Sequence, residues 1–305
     1  MPAGVRLAKM VGPRPPAEAE IHPMRDVIAL PNLLTLANAV CGLLALSKGI
    51  DALALGGASP AVFYAKMEAA AWLIFLGMVF DMLDGKVARW TGGTSAFGAQ
   101  LDSFADALTF GCAPALLAKM LIEHEGPVLG YEGNTRIHFL CAAAFSVMAI
   151  LRLVRFNLEN EPDEEAHQSF KGLPSPAAAG AVASAILLYL VARKPELEMD
   201  SGTPTPVGHL LRLSGGLDFT LPWFFLPALA ALLPLLGFLM VSRVRYTHIA
   251  SALTRRGPFL ALVSLVFSAF LVWIAPIPIL FLVFNGFVLL GLVRALVGRR
   301  KAQAH

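Results

Sequence analysis

Charge is scarce in this 305-residue chain, where Asp, Glu, Lys and Arg together make 15% of the residues against 57% hydrophobic ones. A soluble domain ordinarily carries about a quarter charged residues, so this balance argues against a water-soluble globular protein. Cysteine is also rare. Cys41, Cys112 and Cys141 fall inside apolar runs without Cys-x-x-Cys spacing, which speaks against a cysteine metal site and leaves packing as their role. His124, His138 and His248 are scattered near the ends of apolar runs with no ligand spacing, so no chemistry is assigned to them. Residues 1–29 are Pro-rich and basic but lack the apolar core of about 7 to 15 residues that a cleavable signal peptide needs. They read as a partly disordered cytoplasmic tail. There is no nucleic-acid motif and no internal repeat of the inverted-repeat transporter kind.

What the chain does have is long apolar runs. They come in blocks of about 17 to 23 residues, the length a helix needs to cross roughly 30 Å of hydrocarbon. Eight spans are expected, at about 30–50, 62–82, 101–122, 137–156, 174–193, 221–242, 257–275 and 277–297. Pro276 and Pro278 separate the last two by a tight reversal, which predicts a helical hairpin. Trp223 and Trp273 fit interfacial anchoring. With both termini in the cytoplasm, 17 of the 24 Lys and Arg residues lie on that side, including Arg6, Lys9, Arg14, Arg25, Lys86, Arg89, Arg152, Arg155, Lys171 and the cluster from Arg294 to Lys301. Short basic loops stay in the cytoplasm, which sets the expected orientation. The net charge of +3, so distributed, suits an anionic membrane surface.

The exception to the apolar pattern is the run from Phe80 to Asp106, where Asp81, Asp84, Asp102 and Asp106 fall within 26 residues. Asp81 and Asp84 are three apart, Asp102 and Asp106 four apart, so each pair shares a helix face. Thr91 to Phe97 is polar and glycine-bearing, a turn that lets two antiparallel helices bring the pairs face to face. An acid at a bilayer centre costs roughly 2.5 to 3.5 kcal/mol on insertion scales, less near the interface. Divalent cations are the natural compensation. All-oxygen ligands favour magnesium, manganese or calcium over zinc, and two such ions could bridge a diphosphate, with Asp106 free to act as general base. Gly85, Ala88 and Gly98 let a flat nucleotide approach the backbone, and Arg89 can place a guanidinium beside phosphate oxygens. Lys86 either assists or snorkels.

This run resembles the CDP-alcohol phosphotransferase family, whose signature is Asp-x-x-Asp-Gly-x-x-Ala-Arg, a spacer of about eight, then Gly-x-x-x-Asp-x-x-x-Asp; all its fixed positions match, from Asp81 to Asp106. The resemblance implies an all-α integral membrane fold, a six-helix catalytic core with a C-terminal pair of transmembrane helices added. It implies that Asp81, Asp84, Asp102 and Asp106 bind two metal ions, magnesium or manganese, and that Asp106 also activates the acceptor alcohol. Gly85, Ala88 and Gly98 would line the cytidine site and Arg89 would face the diphosphate. A homodimer is implied as well. The organisation expected is a tail at 1–29, a six-span catalytic domain at 30–243, and a two-span hairpin with a basic tail at 244–305.

Three further stretches resemble the phosphatidylserine synthase branch: Pro31 to Asn38, Arg152 to Asn157, and Phe170 to Gly180. They imply CDP-diacylglycerol, a membrane lipid, and L-serine as substrates. Serine's carboxylate and ammonium call for a fixed cation and nearby acceptors, for which Arg155, Asn157 and Lys171 are candidates; topology-setting charge is the competing role for Arg152, Arg155 and Lys171. Asn32, Thr35 and Asn38 either contact ligand or pack between helices, and Asn32 and Thr35 are assigned to the nucleotide site. A sister enzyme using glycerol phosphate, inositol phosphate or an archaeal-type lipid is the nearest alternative. A cation transporter is the alternative of another class. The expected location is the bacterial cytoplasmic membrane, with the active site on the cytoplasmic side.

Overall fold

The computed structural model describes residues 30–57, 59–91, 96–131, 133–159, 170–201, 224–242, 244–246 and 275–303. The helices are α1 (Leu30–Gly56), α2 (Pro60–Thr91), α3 (Ala96–Asp106), α4 (Ala113–Glu125), α5 (Thr135–Glu159), α6 (Ser175–Ser201), α7 (Phe225–Val241) and α8 (Pro276–Gln303). A π-helical turn, Ala107–Cys112, joins α3 to α4 without a break in the chain's course. Among the described residues six helices are long and apolar enough to cross a membrane, α3 and α4 counting as one, and α7 is a shorter apolar helix. The protein is therefore an all-α, multi-pass membrane protein. Seven of the eight expected spans appear as helices; the span at 257–275 lies outside the described residues, as do the tail at 1–29, residues 92–95 of the polar turn, Trp223, Trp273 and His248.

Proline and glycine set the ends. Pro60 and Pro276 open α2 and α8, where the missing N–H has no helical partner to lose. Gly126 turns the chain off α4, and Gly130 at φ 69° closes the short 3-10 turn Pro127–Leu129. Pro234 lies inside α7.

The bundle is arranged around α6. Its membrane window, Ser175–Arg193, is 78% buried, whereas that of α8 is 17% buried, so α6 is central and α8 peripheral. Alanine at 177, 178, 179, 181, 183 and 185 keeps α6 narrow enough to be surrounded. Helix α8 seats its Phe284 ring where a Cβ on Gly180 would stand, and Asn285 Nδ2 donates to Ala181 O and Ser184 Oγ at 3.3 Å each. The opposite side of α8 exposes Leu282, Val283, Leu289 and Leu290, and α1 exposes Leu33, Leu36, Val40 and Leu43. These are the surfaces such a bundle offers to lipid.

At one end the strands β1 (Phe170–Lys171) and β2 (Arg245–Tyr246) pair antiparallel, Phe170 opposite Tyr246. Gly172 follows at φ 92°, its N–H donating to Val244 O at 2.9 Å, and a Cβ there would strike Met240 O. Only glycine fits that position. The short ladder thus ties the entry to α6 onto the exit from α7.

The opposite end is closed by Glu125, 1% exposed. Its Oε2 accepts from Tyr64 at 2.8 Å and Tyr189 at 2.6 Å and lies 3.4 Å from Arg193 Nε, while Oε1 is 2.9 Å from His124 Nδ1. The His124 ring stacks on Phe63. One carboxylate therefore joins α2, α4 and α6. Glu125→Ala removes the acceptor for two buried hydroxyls and the ion-pair partner of Arg193, and is expected to lower stability by roughly 3 kcal/mol. Thermal unfolding of the purified protein in detergent measures this, with Glu125→Gln expected to lose less.

Candidate active site

The end of the bundle opposite Glu125 collects the signature acids. Asp81 and Asp84 ride on the last third of α2, and Asp102 and Asp106 on α3. Asp81, Asp102 and Asp106 each offer a carboxylate oxygen, the three lying within 4.8 Å of one another, a group that could hold a metal ion. Asp102 Oδ1 is buried with no hydrogen-bond partner among the described residues. A buried, unpartnered carboxylate oxygen beside two more carboxylates fits a hard divalent cation. Asp84, 5% exposed, stands beside this trio, and its Oδ2 accepts from Thr35 Oγ1 at 2.9 Å.

Helix α1 supplies the supports. Thr35 also donates to Pro31 O at 3.1 Å, and one turn later Asn38 Nδ2 donates to Asp106 Oδ1 at 3.1 Å. Asp106 is 8% exposed and Asn38 fully buried. Asn38 O in turn accepts from Thr109 Oγ1 at 2.9 Å, and Thr109 lies in the π-helical turn just past Asp106. The contact is close because two glycines face it. A Cβ on Gly42 of α1 would stand 2.5 Å from Thr109 Oγ1 and 2.9 Å from its Cα; one on Gly77 of α2 would stand 2.6 Å from Thr109 Cγ2 and 2.9 Å from Asn38 Oδ1. The wide π turn is a local deformation of the kind found at functional sites.

Helix α5 runs antiparallel along α3 and the π turn. Ser146 Oγ donates to Gly111 O at 3.0 Å, and Asn157 Nδ2 donates to Ser103 Oγ at 2.8 Å. Arg152 lies between these two contacts. Its Nη1 donates to Ser175 Oγ at 2.7 Å, and its charge acts on Asp106 and Asp81.

The remaining expected residues are spread around the trio. Asn32 is buried, Gly85 is exposed with nothing in the way of a Cβ, and Ala88 and Gly98 are half-buried. Arg89 is exposed and donates to Gly85 O at 3.0 Å, folded along its own helix. Arg155 donates to Val241 O at 3.3 Å, at the end of α7, and Asn157 faces Ser103. The backbone of Lys171 pairs with Arg245 in the short ladder. Asn38, Thr109, Arg152 and Ser175 are the supports that motif reading did not place at the acids. Asn38, Arg152 and Ser175 had a signal, since each belongs to one of the three stretches read as resembling a branch of the family. Thr109 had none.

The pattern of the CDP-alcohol phosphatidyltransferase family matches residues 28–207 of this chain. The chain is 34% identical over 149 residues to the CDP-diacylglycerol--serine O-phosphatidyltransferase of Bacillus subtilis, covering 49% of this chain and 70% of that protein. It is 33% identical over 169 residues to the Helicobacter pylori (strain 26695) protein of the same name, covering 54% and 60%. Against the archaetidylserine synthase of Methanothermobacter thermautotrophicus the figures are 35% over 159 residues, 52% and 57%.

The two glycine environments differ in a way that can be measured. Gly42→Ala forces α1 off the Thr109 backbone and is expected to cost roughly 1 to 3 kcal/mol of stability. Gly85→Ala meets open space and is expected to cost less than about 0.5 kcal/mol. Unfolding midpoints of the two variants in detergent separate these outcomes.

Proposed function

Because the chain belongs to the CDP-alcohol phosphatidyltransferase family, we propose that it transfers the phosphatidyl group of CDP-diacylglycerol to the hydroxyl of L-serine, with release of CMP. The carrying observation is the convergence of Asp81, Asp102 and Asp106 at one end of the bundle, with Asp106 held by Asn38. The serine acceptor is supported by the names of the relatives from Bacillus subtilis and Helicobacter pylori. The aligned segments cover 57 to 70% of the relatives described above.

In this reading Asp81, Asp84, Asp102 and Asp106 hold magnesium or manganese, two ions in all. A divalent cation held by these residues would supply charge neutralisation for the diphosphate and polarisation of the leaving group. Asp106 takes the proton of the serine hydroxyl. Asn38 occupies Oδ1, which orients the carboxylate and leaves Oδ2 to receive it. The serine oxygen then forms a bond to the lipid-linked phosphorus as the bond from that phosphorus to the CMP oxygen breaks, and CMP departs with the electron pair. Open space at Gly85 leaves room for the cytidine against the backbone of α2, and Ala88, Gly98, Asn32 and Thr35 are assigned to the same nucleotide site. Arg89 is exposed and able to swing from Gly85 O to the diphosphate. Arg155, Asn157 and Lys171 lie on the side from which a water-soluble acceptor arrives and are assigned to serine. Residues 30–243 form the catalytic domain and 244–305 the appended C-terminal part. The location proposed is the bacterial cytoplasmic membrane, with both termini and the active site on the cytoplasmic side, and the assembly a homodimer.

A sister acceptor is the second reading, and the relative named archaetidylserine synthase makes an archaeal-type lipid a variant of the first. A cation transporter would string acids through the bilayer depth. Among the described residues the further buried acid, Glu125, is satisfied by its own partners at the opposite end.

CMP release from CDP-diacylglycerol, assayed in detergent with serine, glycerol 3-phosphate and inositol phosphate and with magnesium against manganese, is expected to be fastest with serine; no release with serine sinks the proposal. Asp106→Asn is expected to lower turnover at least about 100-fold while the protein stays folded. Gly85→Ala is expected to raise the KM for the CDP-lipid at unchanged stability, since the added methyl intrudes only on the nucleotide.

A further inference from the structure

Arg152 lies on α5, a helix that carries none of the signature acids, yet its charge acts on two of them. The register of α5 on α3 fixes this. Ser146 opposite Gly111 and Asn157 opposite Ser103 bracket an antiparallel pairing in which Arg152 comes level with Asp106. Its electrostatic partners are Asp106 and Asp81. The guanidinium is not free to leave. Nη1 is held by the buried Ser175 in the first turn of α6, at 2.7 Å, and the group lies 6.0 Å over the Phe156 ring. In the described residues its hydrogen bond is to a neutral hydroxyl, so its charge is balanced by the carboxylates alone.

We propose that Arg152 is a built-in countercharge of the Asp81, Asp102 and Asp106 cluster, a positioning residue that weakens divalent-cation binding there. A half-buried arginine remains charged throughout the physiological range. It therefore subtracts a fixed unit from the cluster's negative charge, whatever the substrate. Two consequences follow for a cation at this site: it binds the free protein less tightly than three carboxylates alone would hold it, and a bound diphosphate restores the missing negative charge. Ser175 holds one nitrogen of the guanidinium, Nη1. The inference rests on the reading of the acids as a metal site.

The test uses the full-length protein in detergent without nucleotide or serine, titrated with Mn2+ while the electron paramagnetic resonance signal of the free ion is followed. Arg152→Gln is expected to bind Mn2+ at least about tenfold more tightly than the wild type, because a unit charge level with the cluster acts strongly at an effective dielectric of about 20. Arg152→Lys, which keeps the charge, is expected to stay within about threefold of the wild type. Arg152→Met repeats the measurement should Arg152→Gln not fold. Unchanged or weaker binding in the neutral variants, with saturable binding in the wild type, overturns the countercharge alone. No saturable Mn2+ in the wild type or any variant overturns the metal reading, and this proposal with it.

Discussion

The approach of α1 and α2 to Thr109 is the contact on which the site depends. Three backbones meet there because Gly42 and Gly77 carry no Cβ, and Thr109 uses its hydroxyl on Asn38 O and its methyl against Gly77. That closeness brings the Asn38 amide to Asp106. Without it α1 would stand off by the width of a methyl group, and both hydrogen bonds from α1 to the acids, Thr35 to Asp84 and Asn38 to Asp106, would be lost together. In a membrane, where hydrophobic burial does not drive one helix against another, close packing of small residues and interhelical hydrogen bonds must do that work.

The two ends of the bundle treat buried carboxylates in opposite ways. Glu125 is given two tyrosine hydroxyls, a histidine and an arginine, so its charge is consumed inside the protein. Among the described residues the acids at the other end are given fewer: the Thr35 hydroxyl and the Gly85 N–H for Asp84, one asparagine for Asp106, and no hydrogen bond for Asp102 Oδ1. The difference is one of partners and not of residue type. Tyr64 and Asp81 lie on the same helix, about 25 Å apart along its axis, so α2 carries both the clasp and part of the site.

Much of this was open to reading before any coordinates. The apolar runs marked the spans, since a helix in lipid must be about twenty residues long and apolar throughout, and the ends fell close to proline and glycine. The four aspartates stood out because acids are costly in such runs, and their spacing of three and four put each pair on one face. The π turn at Ala107–Cys112 was not readable: a helix with one wide turn has the same composition as a regular one. Nor could α6 be recognised as the central helix and α8 as the peripheral one, because both read as apolar spans.

What the sequence by itself determined is the list of parts: an all-helical membrane chain, one acidic signature, and basic residues clustered in alternate loops. These are local properties, carried by composition and by spacing along single helices. The tertiary structure alone decided which parts meet. It set one carboxylate oxygen from each of Asp81, Asp102 and Asp106 within 4.8 Å of one another, Asp84 on Thr35, Asn38 on Asp106, and Arg152 level with Asp106. The two hydrogen bonds from α1 join residues 49 and 68 positions apart, and all of these meetings depend on helix rotation and register, which small residues at the crossings set and no linear spacing records.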